Sequence, residues 1–365
     1  MKYIEGFRQG DAGRFLGKQI RTKADTLSKQ HPPISIMEVC GSHTMAISRF
    51  GIRDVLPANV KLLSGPGCPV CVTDAGYIDA ALTLAARGVI IATFGDMVRV
   101  PGSQRSLADA RSEGADVRVC YSPSQALDIA AENPDREVVF MAIGFETTMA
   151  PVTTLIPAAM ARQLGNLSLL TAFKLVPPAL SALIADPEVK VDAFICPAHV
   201  SAIIGADAYR PYVAENGVPC VVCGFEPLDI LYGIDNIVSQ FVNGERLLVN
   251  QYSRVVKNEG NRAAQALFDK FLTPVDASWR GIGVIPASGL GIRDEFETYD
   301  AAKRFAVSTV GGAPDPGCMC GDVLKGKILP ADCPMFAGAC TPQHPVGPCM
   351  VSSEGSCAAH YKYER

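Results

Sequence analysis

No apolar run in this 365-residue sequence is long enough to cross a bilayer. Stretches such as 88–94 fall far short of the roughly 20 residues a transmembrane helix needs. Basic runs are also missing. Lys and Arg total 33 against 37 Asp and Glu, a formal charge of −4, which leaves no footprint for nucleic acid or an anionic membrane surface. The first fifteen residues lack the apolar segment of a signal peptide, so a cytoplasmic location is expected. There is no P-loop, GxGxxG, HExxH or GxSxG sequence, and phosphoryl-transfer, hydride-transfer and simple hydrolase chemistry are therefore not favoured. Charged residues make up only 19% and apolar residues 48%, a composition with ample material for buried cores and unlike that of a disordered chain. The length points to two or three domains.

Cysteine is abundant. Thirteen cysteines without an export signal argue for metal or redox chemistry rather than a disulfide framework, because the cytosol keeps thiols reduced. They cluster: Cys40, Cys68 and Cys71 lie early, Cys120 and Cys196 stand alone, and Cys220 and Cys223 form a CxxC. Six more (Cys318, Cys320, Cys333, Cys340, Cys349, Cys357) crowd the last 48 residues.

The order of elements is that of an α/β protein. An amphipathic helix over 9–30 ends at His31-Pro32-Pro33, which cannot continue it. Strand-like runs at 34–39, 60–63, 89–94 and 117–120 then alternate with helical stretches at 78–86, 106–112 and 124–132. A second series has strands at 138–143, 167–173, 191–195 and 220–222, helices near 151–163 and 177–185, and a longer helix at 227–242. The apolar strands imply parallel sheets covered on both faces. The Asn133-Pro134-Asp135 turn is the expected boundary between the series. Beyond about residue 250 a helix (260–271) and a strand (281–286) precede a tail rich in Gly, Pro and Cys, whose weak periodicity calls for a metal staple.

That tail carries Cys320-x12-Cys333-x6-Cys340-x16-Cys357, four thiolates suited to a structural zinc or a [4Fe–4S] cluster. Zinc sites generally use CxxC knuckles, so the wider spacing favours a cluster; a set of reduced core cysteines is the plain alternative. Near the N-terminus, Glu38-Val39-Cys40-Gly41-Ser42-His43-Thr44 follows a strand and opens a helix. Cys40 then lies at a strand's carboxyl end beside a helix N-terminus, where sites of open α/β sheets occur and a thiolate is favoured. His43 is near enough to join it as a metal ligand or proton partner, although such a pair can also be structural. Ser64-Gly65-Pro66-Gly67-Cys68-Pro69-Val70-Cys71 again follows a strand and has thioredoxin-like logic, with the first thiol expected to be exposed; a Gly/Pro-rich turn with incidental cysteines is the structural alternative. Cys40 and this pair end adjacent strands and could share one crevice.

Four more loops share the strand-end position. Gly95-Asp96 leads to Arg99 and Pro101-Gly102, Gly144-Phe145-Glu146-Thr147-Thr148 offers an acid and two hydroxyls, and Pro197-Ala198-His199 and Gly224-Phe225-Glu226-Pro227 follow later strands. Each is weak alone, since Asp, Thr and Glu there also cap helices. Together they point to a cleft lined from two sides, with Asp96 and Glu146 among its candidate residues. His199 reads as a packed core histidine, and Cys220/Cys223 as sheet thiols on opposite faces.

These loops, in this order and with the tail spacing and Val351-Ser352-Ser353-Glu354-Gly355, resemble the signature motifs of the HypD family of hydrogenase maturation factors over essentially the whole chain. The resemblance implies two parallel-sheet α/β domains with a cleft between them, plus a smaller, mainly helical and irregular iron–sulfur domain. It implies a scaffold that acts with the chaperone HypC to assemble the Fe(CN)2CO unit of [NiFe]-hydrogenases. Cyanide would come from HypE with HypF, and the finished unit would pass to the hydrogenase large-subunit precursor. By position Cys40 would hold the iron carrying CN and CO, with His43 beside it. Cys68/Cys71 would be the redox pair, and Cys320, Cys333, Cys340 and Cys357 would bind the [4Fe–4S] cluster.

The expected organisation is a helical segment (1–33) packing with the cluster domain, a first α/β domain (34–134), a second (135–250) and an iron–sulfur domain (251–365). Two other functions compete: a stand-alone iron–sulfur or thiol oxidoreductase acting on a small substrate, and a zinc-stapled interaction protein.

Overall fold

The computed structural model describes residues 5–29 and 31–364. Eleven strands are present among them: β1 (Ile34–Glu38), β2 (Val60–Ser64), β3 (Ile90–Thr93), β4 (Val117–Val119), β5 (Val138–Gly144), β6 (Leu167–Phe173), β7 (Ala193–Pro197), β8 (Cys220–Cys223), β9 (Leu248–Asn250), β10 (Leu272–Trp279) and β11 (Gly283–Ile292). They form a five-stranded sheet in the order β2-β1-β7-β8-β9, a four-stranded sheet in the order β4-β3-β5-β6, and the hairpin β10-β11. Every pairing in the two larger sheets is parallel. Helices supply the crossovers, and β5 is buried at all its positions, as expected for a sheet covered on both faces. The α/β class is therefore as expected.

The grouping of strands is not. β1 and β2 pair with β7–β9 of the later series, whereas β3 and β4 pair with β5 and β6. The turn at 133–135 thus lies inside one sheet's strand set, and neither 34–134 nor 135–250 corresponds to a sheet. A βαβ pattern looks the same whichever sheet receives the next strand, so alternation alone cannot assign it.

Two further expectations change. The Gly10–Leu27 helix presents Leu16, Ile20, Ala24 and Leu27 to a core shared with Leu228, Leu231 and Ile234 of the Pro227–Asn243 helix and with β1 and β2. Lys23 Nζ bonds Asp235 Oδ1 at 2.7 Å across the same contact. This helix therefore packs on the five-stranded sheet's helical layer and not with the C-terminal segment. Its stripe at spacings of three and four is what the longer helix's apolar face accepts, and each fully buried aliphatic such as Ile20 contributes about 1.5–3 kcal/mol. Residues 1–4 and 30 of the expected segment lie outside the described residues.

The early part of 251–365 also belongs elsewhere. Phe268, Phe271, Leu272, Leu290 and Ile292 share a core with the four-stranded sheet's outer face. The cysteine-lined part begins only at Cys318. A third core lies between the sheets and joins Met37, Val39, Cys196 and Val222 of one to Ile91, Val139 and Met141 of the other. Among the described residues no helix is long and apolar enough to cross a membrane.

Candidate functional site

β1 and β2 run parallel and adjacent, with Glu38 opposite Ser64, so the loops after them leave the sheet side by side. Cys40 is the N-cap of the Gly41–Arg49 helix and is buried. Gly41 N donates to Gly67 O at 2.9 Å, and Gly65 N to Glu38 O at 2.8 Å, which clamps the two loops together. Glycine is required at 67, where a Cβ would run into the Cys40 nitrogen and Cα and lie 2.6 Å from the Val39 carbonyl carbon. Cys40 and the CxxC loop are thus brought together as the spacing suggested.

Burial pushes the Cys40 thiol up to about 12; Glu354 and Glu38 add to the rise, and the His43 and Ser42 amides at the helix start oppose it. Glu38 itself is fully buried and pushed up to about 7 by desolvation. Its Oε2 accepts from Cys40 N at 3.1 Å and its Oε1 from Thr44 Oγ1 at 2.6 Å, tying the strand end to the helix start. Glu38 has no assigned role in the sequence motif it belongs to. The signal was a lone acid inside an apolar strand, two residues before the cysteine.

His43 is fully buried. Its Nε2 lies 3.1 Å from Cys223 O and 3.0 Å from Gly224 O, while its Nδ1 is buried without a partner. Two carbonyl acceptors on Nε2 fix the proton there and leave the lone pair on Nδ1. Burial lowers His43 to about 4. Cys223 Sγ is 3.7 Å from Nε2, and Cys220 faces the opposite core, as expected for sheet thiols. Phe225 stands between two imidazoles, 4.7 Å from the His43 ring and 4.2 Å from that of His199. The loop is held from below by Asp229, which accepts from Arg254 Nη2 at 2.6 Å.

A pocket of about 190 Å³ opens on this assembly, lined by Cys40, Ser42, Gly67, Thr147, His199 and Glu354, among others. His199 is exposed rather than packed in a core, because its side chain stacks on Phe225 at the pocket wall. Glu354 comes from the C-terminal segment: its Oε1 accepts from Ser42 Oγ at 2.7 Å, and a Cβ on Gly41 would touch its Cβ at 2.5 Å.

Cys40 belongs to this lining, whereas His43, Cys68, Cys71, Asp96 and Glu146 do not. Asp96 is exposed on the short helix Gly95–Arg99. The neighbouring Arg99 instead docks the C-terminal segment, with Nη1 donating to Pro342 O at 3.0 Å. Glu146 is buried behind the wall that Phe145 and Thr147 present. Its Oε1 accepts from Val176 N at 3.0 Å, its Oε2 has no partner, and burial pushes it up to about 7.

Cys68 and Cys71 are joined as a disulfide, and both are buried, at 3% and 0% exposure. The thioredoxin-like expectation of an exposed first thiol therefore fails, since Gly67 presses this loop into the core. Cys71 Sγ lies 4.0 Å from Pro348 O, and Cys349 next to that carbonyl belongs to a second pocket.

All six tail cysteines line this second pocket: Cys320, Cys333, Cys340 and Cys357 together with Cys318 and Cys349. Met335, Phe336, Val346 and Met350 supply apolar walls. Cys320 is the thiol held lowest, because Cys318 and Cys349 donate to it and the Arg280 guanidinium is near; those two neighbours are raised in turn. Arg280 Nε also donates to Thr73 O at 2.8 Å, so one buried side chain connects the segment after the disulfide to Cys320. Among the described residues no three His, Cys, Asp or Glu side chains are grouped as ligands for a single metal ion. The donor set is nonetheless all thiol and the walls are apolar, a combination that fits an iron–sulfur cluster, whose ligands each bind a different iron.

The HypD family model, described as the Hydrogenase formation hypA family, matches residues 16–364. The hydrogenase maturation factor HypD of Azotobacter vinelandii is 47% identical over 373 residues, covering 100% of this chain and 97% of that protein. HypD of Escherichia coli (strain K12) is 43% identical over 368 residues, covering 100% and 99%. A putative hydrogenase expression/formation protein of Methanocaldococcus jannaschii is 42% identical over 352 residues, covering 96% and 98%. Matched over nearly its full length, the chain belongs to the HypD family of hydrogenase maturation factors.

Proposed function

We propose that this maturation factor is the scaffold on which, together with a HypC-type chaperone, an iron carrying cyanide and CO is assembled for a [NiFe]-hydrogenase large-subunit precursor. HypE, with HypF, would donate the cyanide. The observation that carries this reading is Cys40, a strand-end thiol at a helix N-terminus, clamped against the disulfide loop and lining a pocket. The iron is cargo, and a soft thiolate suits low-spin Fe(II) bearing strong-field ligands. With Cys40 pushed up to about 12, the sulfur carries its proton at neutral pH and gives it up on binding iron. His43 offers the Nδ1 lone pair, because Cys223 and Gly224 occupy Nε2.

The Cys320, Cys333, Cys340 and Cys357 thiolates would hold a [4Fe–4S] cluster, which supplies one-electron transfer when bound. Opening the Cys68–Cys71 disulfide takes two electrons and two protons. The contact of Cys71 Sγ with Pro348 O, beside Cys349, supports a short path between that disulfide and the tail cysteines.

The test is an infrared spectrum of the protein isolated anaerobically with its small partner from maturation-competent cells. Cyanide and CO stretches are expected, and Cys40→Ala is expected to remove them while iron and sulfide of the cluster remain. Bands that persist in Cys40→Ala, or are absent from the wild type with partner bound, would overturn the proposal.

A further inference from the structure

The pocket at Cys40 is lined from both sheets. The loops after β1 and β2 bring Cys40, Ser42 and Gly67, while the turn after β5 brings Thr147 and Thr148 of the Glu146–Thr153 helix. Two contacts fix that turn. Glu146 Oε1 accepts from Val176 N at 3.0 Å behind the pocket wall, and Gly144 lies so close to Thr148 that a Cβ on it would be 2.5 Å from the Thr148 Cβ. Both threonines are half-buried.

The polar side chains of the lining divide into engaged and unengaged groups. Ser42 Oγ donates to Glu354 Oε1 at 2.7 Å, which occupies both. Thr147 Oγ1, Thr148 Oγ1 and the His199 ring nitrogens make no hydrogen bond to any described residue. His199 only stacks on Phe225, 4.2 Å between centroids. A helical threonine commonly turns its hydroxyl back onto the carbonyl four residues before it. Thr153 of the same helix does so, donating to Met149 O at 2.8 Å, whereas Thr147 and Thr148 do not. Their hydroxyls are therefore free to serve the pocket. The rest of the wall is largely apolar, with Val39, Pro69, Phe145 and Val200.

We propose, resting on the reading that Cys40 carries an iron with cyanide and CO, that the Thr147 and Thr148 hydroxyls donate to the cyanide nitrogen while Val39, Phe145 and Val200 face CO. Cyanide bound through carbon keeps a lone pair and negative charge at nitrogen, so it accepts a charge-assisted hydrogen bond. CO binds the same way, but its oxygen is a poor acceptor and loses little against an apolar wall. The two ligands are nearly equal in size, so shape cannot sort them. Hydrogen bonding can, because a site built around donors disfavours an isostere that cannot accept from them. The threonines thereby set which position around the iron cyanide takes.

Infrared spectra of the full chain, isolated anaerobically with its small partner, test this. In Thr147→Val/Thr148→Val the cyanide bands are expected to move to lower wavenumber, because a donor at nitrogen raises that stretch, and the CO band should move less. Thr147→Ser/Thr148→Ser keeps both hydroxyls and should leave the cyanide bands in place. If the double valine variant carries no diatomic bands, the single valine variants decide. Cyanide bands unmoved by valine, a CO band that moves as far as they do, or a cyanide shift produced by His199→Phe instead would overturn the assignment. A wild type with partner bound but no cyanide or CO bands would overturn the iron-scaffold function itself, and this assignment with it.

Discussion

Gly67 is packed directly on the backbone of Cys40, so closely that no side chain fits between the disulfide loop and the strand-end cysteine. The geometry of the candidate iron site and that of the disulfide are therefore one property: neither loop can move without the other. Gly41 repeats the relationship with Glu354, which brings the C-terminal segment to the same pocket.

Gly67→Ala is accordingly expected to destabilise the fold by about 1–3 kcal/mol, as overpacking does, and to impair maturation by displacing Cys40. A urea denaturation midpoint and hydrogenase activity in cells check both. An unchanged midpoint would contradict the steric account.

His43 is expected to be a neutral Nε2–H tautomer. Spectra of protein labelled with 15N-histidine should show a protonated Nε2 and a bare Nδ1 for this residue, unchanged as pH falls until it approaches 4. A proton on Nδ1 at pH 7 would refute the assignment.

Glu146 makes a pH-dependent contribution whose sign follows from its raised pKa. Its carboxyl goes from the usual 4.5 to about 7 on folding. Between those values the folded protein keeps a proton that the unfolded chain has lost, so stability falls as pH rises through this window and levels off above it. Glu146→Gln cannot ionise, and the difference in stability between pH 5 and pH 8 should shrink by at most roughly 3 kcal/mol. Glu38 and His43 titrate in both proteins and cancel in that comparison. Identical pH profiles would show that Glu146 is not held neutral.

Among the tail cysteines, single serine replacements at Cys320, Cys333, Cys340 or Cys357 are expected to lower iron and acid-labile sulfide together. Cys318→Ser and Cys349→Ser should retain both. Metal and sulfide analysis of anaerobically purified variants reads this directly, and full loading of Cys320→Ser would displace that residue from the ligand set.

Much of this site was legible in the chain. Strand-end placement put Cys40 beside the CxxC loop because both follow short apolar runs of adjacent parallel strands, and the CVVC run of β8 sent its thiols to opposite faces as pleating requires. Other residues were not legible. His199 looked like core filling because nothing local shows that Phe225 would carry it to a pocket wall. Asp96 and Glu146 follow strand ends in the sequence as true pocket residues do, yet both open helices, one exposed to solvent and the other buried behind the wall.

The α/β class, nearly every early strand and the glycine–cysteine loops follow from the local pattern of the chain, because they depend on hydrophobic period and on backbone chemistry within a few residues. Which sheet each strand joins, where the first helix packs, and that six cysteines rather than four face one pocket emerge only in the folded chain. A local pattern fixes what an element is and which face it must bury. The partner for that face is set by competition among all the apolar surfaces of the chain, and no single segment records the outcome.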